Sequence, residues 1–164
     1  MGINMEMDQD RNEALEFARR TRGNLTFIEN AKAQGADVHA VTQLTLSLLG
    51  LIVFPKERLL LDETKKMTLN TMASKGWPTW TITRDDTKKG TSTLADIIYH
   101  LRNAVSHGRL VFTSDSPEID DVAIIVEDKK GREDAEPYWR AQIGAHDLRT
   151  FCLHFLDFID NTIG

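Results

Sequence analysis

The chain has 164 residues, of which 41% are hydrophobic and 27% charged, and a net charge of −5. That length suits one domain with a core of its own, and the balance excludes a disordered or fibrous chain. The acidity argues against broad, charge-driven coating of nucleic acid. The single cysteine, Cys152, excludes an internal disulfide, and its apolar, periodic surroundings make it a small core residue. With no CxxC pair and no HExxH, neither a metal site nor another cofactor is expected. The longest apolar run, 48–54, falls far short of the roughly 20 residues that cross a bilayer. Residues 1–16 lack the basic start and apolar centre of a signal peptide, and Glu6 stands where a myristoylation signal wants Ser or Thr. The expected location is therefore cytoplasmic.

Residues 1–10 are expected to lack fixed structure. Asp10 can then cap a helix over 11–34, in which Leu15, Ala18, Leu25 and Ile28 recur near helical spacing. Gly23 interrupts this helix and Gly35 ends it. Asp37 can cap a second helix over 38–53. Its main stripe is Val41, Leu44, Leu48 and Leu51, while Leu46, Leu49 and Val53 lie off that stripe. A helix apolar on two faces is buried on two faces, at a bundle centre or a subunit interface. Phe54-Pro55 stops it, because the residue before proline avoids helical geometry.

A short helix is expected near 57–73. The turn Gly76-Trp77-Pro78-Thr79-Trp80 follows; paired indoles can stack bases, but more often cover the edge of a core. Across 56–90, eight basic side chains face five acidic ones, so a modest basic surface could border the next helix, or the segment could simply be a solvated loop. That helix starts at Thr93-Leu94-Ala95-Asp96, a capping box with Asp in place of Glu. Its stripe is Leu94, Ile97, Ile98, Leu101 and Val105, and Gly108 is a left-handed stop.

Residues 109–143 change period. Leu110–Phe112, Val122–Val126 and Tyr138–Ile143 are strand candidates, with turns at 115–118 and 127–136. The last helix, 146–163, carries Leu148, Phe151, Phe155, Phe158 and Ile159 on one stripe. The fold class is mainly α. We expect a single domain over 1–164, a bundle of four to five helices with a small antiparallel hairpin or three-stranded insertion before the last helix.

The segment Arg102-Asn103-Ala104-Val105-Ser106-His107 closes the helix that starts at the Thr93 capping box. Five residues turn a helix by about 500° and rise about 7.5 Å, so Arg102 and His107 do not stack, yet a long Arg and a terminal His can meet beyond the helix end. Asn103, one turn before His107, could hold the imidazole, and Ser106 lies beside it. The helix C-terminus carries partial negative charge and favours a cation there, which contributes about 0.3–1 kcal/mol even if the pair does nothing else. Arg102 borders the apolar stripe, where a guanidinium without a partner is costly. Arg20, Asn24, Thr42, Gln43 and Ser47 are polar residues on otherwise apolar helices; they could line a cleft or bond helix to helix.

The six-residue segment resembles the R-N-x-x-x-H signature of HEPN-domain ribonucleases. Arg20-Thr21-Arg22-Gly23-Asn24-Leu25 and the stretch from Val41 to Gly50 are similar to a plasmid-borne branch of that family, which also has strands before its last helix. The resemblance implies a HEPN-like bundle acting as a metal-independent endoribonuclease in toxin–antitoxin or phage-defence systems. It implies Arg102 and His107 as catalytic residues, with Asn103 and Ser106 in support. The partners it implies are RNA as substrate, a second copy in a homodimer, and an antitoxin protein. In the branch paired with nucleotidyltransferase antitoxins the motif extends to a Tyr two residues after the His; here that position is Arg109, so the modified tyrosine has no counterpart. Two other readings remain: a catalytically silent HEPN module that binds RNA or nucleotides, and a structural dimer in which Arg102 pairs with a carboxylate.

Overall fold

The computed structural model describes residues 2–53, 57–132 and 135–164, without the side chains of 2–7, 49 and 57–59. Among these, the elements run α1 (Gly2–Ala33), α2 (Ala40–Val53), α3 (Glu57–Lys66), α4 (Leu69–Ser74), β1 (Thr81–Asp85), α5 (Leu94–Ser106), β2 (Leu110–Phe112), β3 (Ala123–Asp128), β4 (Trp139–Gly144) and α6 (Ala145–Ile163). The fold is a mainly α bundle carrying one small antiparallel sheet. No helix among the described residues is long and apolar enough to cross a membrane.

The bundle is built by α1, α2 and α6 packing on one another, with α5 against α2 and α3 against both α5 and α6. Its centre is the fully buried row Leu148, Phe151, Phe155, Leu156 and Ile159 of α6, facing Leu51 of α2 and Leu94, Ile97 and Leu101 of α5. Cys152 lies in this core, and burial pushes its thiol up to about 12. The tryptophans cover the core edge. Trp77 and Trp80 are both buried and meet Phe151 edge-on at 5.3 and 5.6 Å, the geometry aromatic pairs prefer.

Several expectations change. Residues 2–10 are helical rather than without structure, and α1 opens at Gly2 instead of after an Asp10 cap. Asp10 is buried inside the helix, and the Arg11 guanidinium donates to the carbonyls of Ile163 and Gly164, which docks this end of α1 on the end of α6. On α2, Val41, Leu44, Leu48 and Leu51 are buried as expected, but Leu46 is 57% and Val53 47% exposed, so the second apolar face is open in the single chain. The side chain of Leu49 and the Phe54-Pro55 stop lie outside the described residues.

The helix expected over 57–73 is two helices. Thr68 forms an antiparallel bridge with Thr93, with Leu94 N–H donating to Met67 O (2.8 Å) and Leu69 N–H to Ser92 O (3.0 Å), which draws these backbone groups out of a helical ladder. The sheet has four strands among the described residues rather than two or three, in the order β1-β4-β3-β2. The added strand, β1, comes from before α5 and pairs with β4 from Thr81↔Gln142 to Asp85↔Trp139. One face of the sheet is covered: Ile124, Val126 and Asp128 of β3 and Trp139, Ala141 and Ile143 of β4 are buried, while Arg140 and Gln142 face out.

Candidate active site on helix α5

The start and stop of α5 are set locally. The Thr93 hydroxyl accepts from Asp96 N–H (3.3 Å), and the Asp96 carboxylate accepts from Thr93 N–H (2.9 Å), completing the capping box. At the other end His107 is the C-cap and Gly108 takes φ +64°. Gly108 N–H donates to Val105 O (3.0 Å) and Arg109 N–H to Ala104 O (2.8 Å), the paired bonds of a Schellman stop. Arg109 is buried and donates from Nη1 to the carbonyl of Lys129 (3.1 Å), fastening the turn to the end of β3. Arg109 is therefore a structural anchor of this turn.

Beside the last turns of α5 lies an open cleft of about 360 Å³. Its apolar wall comes from Leu51 and Ile52 of α2, Leu60 of α3 and Phe155 of α6; its polar rim is Tyr99, Arg102, Asn103 and Ser106. These four rim residues share a helix face through i,i+3 and i,i+4 spacing. Arg102 and Asn103 are half-buried, and the Ser106 hydroxyl donates to the Arg102 carbonyl (2.7 Å). His107 does not line this cleft; it projects into solvent one residue beyond the helix. The structure thus brings Arg102, Asn103 and Ser106 together and leaves His107 at the rim beyond them.

Asn103 has a different partner from the one expected. Its Nδ2 donates to Oδ2 of Asp128 (3.2 Å), not to His107. The same Asp128 oxygen accepts from the Tyr138 hydroxyl (2.6 Å) and meets His100 Nδ1 at 2.7 Å. His100 and Asp128 are both buried, and the His100 ring stacks on Trp139 with centroids 4.4 Å apart. Burial pushes the Tyr138 phenol above its usual range, and the bond to Asp128 and the neighbouring Tyr99 push it further. A buried carboxylate with three donors is a fixed point, and Asn103 carries it to the cleft rim.

The remaining candidates lie elsewhere. Arg20 and Asn24 are exposed on α1, with Arg20 Nε 3.3 Å from Glu16; Thr42 is exposed and its hydroxyl meets His39 Nδ1 at 3.1 Å. Gln43 lines a separate hollow between α1 and α2, and Ser47 is buried. None of the five lines the Arg102 cleft. Among the described residues, no three His, Cys, Asp or Glu side chains gather as a metal site requires.

Asp128, His100 and Tyr138 join the site without being among the sequence candidates, although two of them carry a signal. His100 sits three residues after Ile97 and four before Ala104, on the buried face of α5. Asp128 continues the alternating buried row of β3, but the pair Glu127-Asp128 looks like the start of a charged turn.

A capped α5 bearing R-N-x-x-x-H at its end, inside a helical bundle with strands before the last helix, is the arrangement that the resemblance to HEPN domains implies. The family model described as HEPN pEK499 p136 matches residues 4–164, and the chain belongs to that plasmid-associated HEPN family. No curated protein and no solved structure matches the chain. Membership in a HEPN family points to a nuclease or RNA-binding role.

Proposed function

We propose that this chain is a homodimeric endoribonuclease that cleaves RNA at a composite site built from two copies of the α5 tip, acting as a toxin or phage-defence effector. The observation that carries the proposal is the placement of Arg102 and Asn103 on the rim of an open cleft, with His107 exposed just past the helix end. In the reaction, a base removes the proton of the ribose 2′-hydroxyl, and that oxygen bonds to the adjacent phosphorus. The P–O5′ bond breaks, and an acid protonates the departing 5′-oxygen. The products are a 2′,3′-cyclic phosphate and a 5′-hydroxyl. Histidine can serve as base or acid near neutral pH. An Arg guanidinium holds the charge that develops on the phosphorane, and can do so bidentately. The substrate supplies its own nucleophile, so these groups suffice without a metal ion.

One tip holds a single His107, whereas the reaction needs a base and an acid. Two-fold pairing sets like beside like and would deliver a second His107 and a second Arg102 to one cleft. The exposed Leu46 and Val53 of α2 give such pairing an apolar surface to bury. Incubation with total RNA in EDTA, followed by end-group analysis, tests the reading. Fragments ending in 2′,3′-cyclic phosphate and 5′-hydroxyl support it; intact RNA overturns it. The position of His107 outside the Arg102 cleft favours one second reading, a silent module that binds RNA, and measurable RNA affinity without turnover would select it.

A further inference from the structure

Tyr99 lines two hollows. On one side is the Arg102 cleft; on the other is a groove of about 330 Å³ lined by Lys88, Lys89, Lys130, His100 and Tyr138 among others. We infer that single-stranded RNA continues from the Arg102 cleft across the exposed ring of Tyr99 into this groove, where Lys88, Lys89 and Lys130 take its phosphates. The inference rests on the endoribonuclease reading for the cleft and adds a binding track outside it.

Three observations support the track. First, the groove gathers lysines from two distant loops on a chain whose net charge is −5. No carboxylate forms an ion pair with Lys88, Lys89 or Lys130 among the described residues. The acid that shares the groove, Asp96, is occupied by the N–H groups of Ser92 and Thr93, each at 2.9 Å.

Second, the lysines are mounted on built supports. The carboxylate of Asp85 accepts from Thr87 N–H (3.1 Å), Thr91 N–H (2.6 Å) and the Thr87 hydroxyl, which clamps the loop carrying Lys88 and Lys89. Trp139 Nε1 donates to Thr91 Oγ1 (2.8 Å), tying that loop to the ring on which His100 stacks. The Lys130 ammonium lies over the Tyr138 ring, 4.6 Å from its centroid, and Tyr138 is bonded to Asp128. Third, Tyr99 is 55% exposed on the ridge where the two hollows meet. A tyrosine face between a cationic groove and an arginine is the arrangement that holds unpaired bases, by stacking with backbone charge on either side.

The test is fluorescence anisotropy with a 2′-O-methylated oligouridine of about 12 nucleotides, which the protein can bind but not cut. The full chain is compared with a triple variant, Lys88→Ala, Lys89→Ala and Lys130→Ala, with circular dichroism confirming the fold. The triple variant is expected to bind at least about tenfold more weakly, and the slope of log K against log salt to fall by about 2, which is the loss of three single-strand phosphate contacts. Tyr99→Ala is expected to weaken binding at least about fivefold, and Tyr99→Phe to retain it, because stacking needs the ring alone. Binding and salt slope unchanged in the triple variant overturn the track, as does a full-length chain that does not bind the oligonucleotide. The uncleavable probe separates the two claims. Weakened binding by the variants with no cleavage of ordinary RNA keeps the groove and removes the nuclease; cleavage with unaltered variant binding removes the groove alone.

Discussion

The two histidines of the α5 region sit seven residues apart and have opposite surroundings. His100 is buried, bonded to Asp128 and stacked on Trp139. His107 stands in solvent on the C-cap, beside a glycine turn. Helical period already sets His100 on the buried face of α5, while His107 falls past the last turn at the glycine stop. The strand pair β3–β4 then supplies Asp128 and Trp139, with Tyr138 just ahead of β4, to that buried face of α5 and leaves the tip uncovered. The buried face holds the helix in place; the open tip has the freedom to meet a substrate.

Substitutions should divide along the same line. The largest stability effect is expected from Asp128→Ala, which strands the Asn103 and Tyr138 donors and His100. Buried unsatisfied groups cost about 1–3 kcal/mol each, so a total loss of about 3 kcal/mol is expected in urea unfolding. An unchanged midpoint would show that the network is idle and the contrast with the tip is false. A smaller loss, about 1 kcal/mol, is expected for Gly108→Ala: no atom obstructs the new Cβ, and the whole penalty comes from the left-handed φ of +64°. Leu46→Arg should leave the monomer fold intact within about 0.5 kcal/mol, because the side chain is exposed, while halting dimerisation measured by light scattering. A dimer that survives it places the interface on another face.

The pH dependence sharpens the picture at the start of α5. Burial alone would raise the Asp85 and Asp96 carboxyls. The hydrogen bonds they accept, from Thr87 and Thr91 and from Ser92 and Thr93, outweigh it and hold both below the usual carboxylate range. A carboxyl whose folded pKa is depressed adds stability that is present above its unfolded value, about 3.9, and lost as pH falls through the folded value. Denaturant midpoints should therefore hold near neutrality and decline in acid, and Asp85→Asn should flatten that decline. An acid limb that Asp85→Asn does not alter would mean the loop clamp contributes nothing.

What could be seen in the sequence follows the range of the interactions. The capping box at Thr93 and Asp96 and the stop at Gly108 were legible because each is closed within a few residues. The stripes of α2, α5 and α6 were legible because helical period reports burial directly. β1 was not, since its five residues pair with a strand nearly 60 positions later and carry no strong alternation. The break between α3 and α4 was hidden for the same reason, as it depends on the Thr68–Thr93 bridge. Of the candidate site, Arg102 and Asn103 reach the cleft as a helix wheel suggests, but the partner of Asn103 lies on β3, two residues past the apolar run that marks that strand in the sequence.

On the proposed reading the tip of α5 is chemical and its buried face structural. The most direct measurement compares RNA cleavage and unfolding for Arg102→Ala and His107→Ala beside the unaltered chain, in EDTA. Each variant is expected to cut RNA at least about 10²-fold more slowly, the usual cost of removing a group that meets transition-state charge or moves its proton, with an unfolding midpoint close to that of the unaltered chain. Cleavage by either variant at the rate of the unaltered chain would contradict the account.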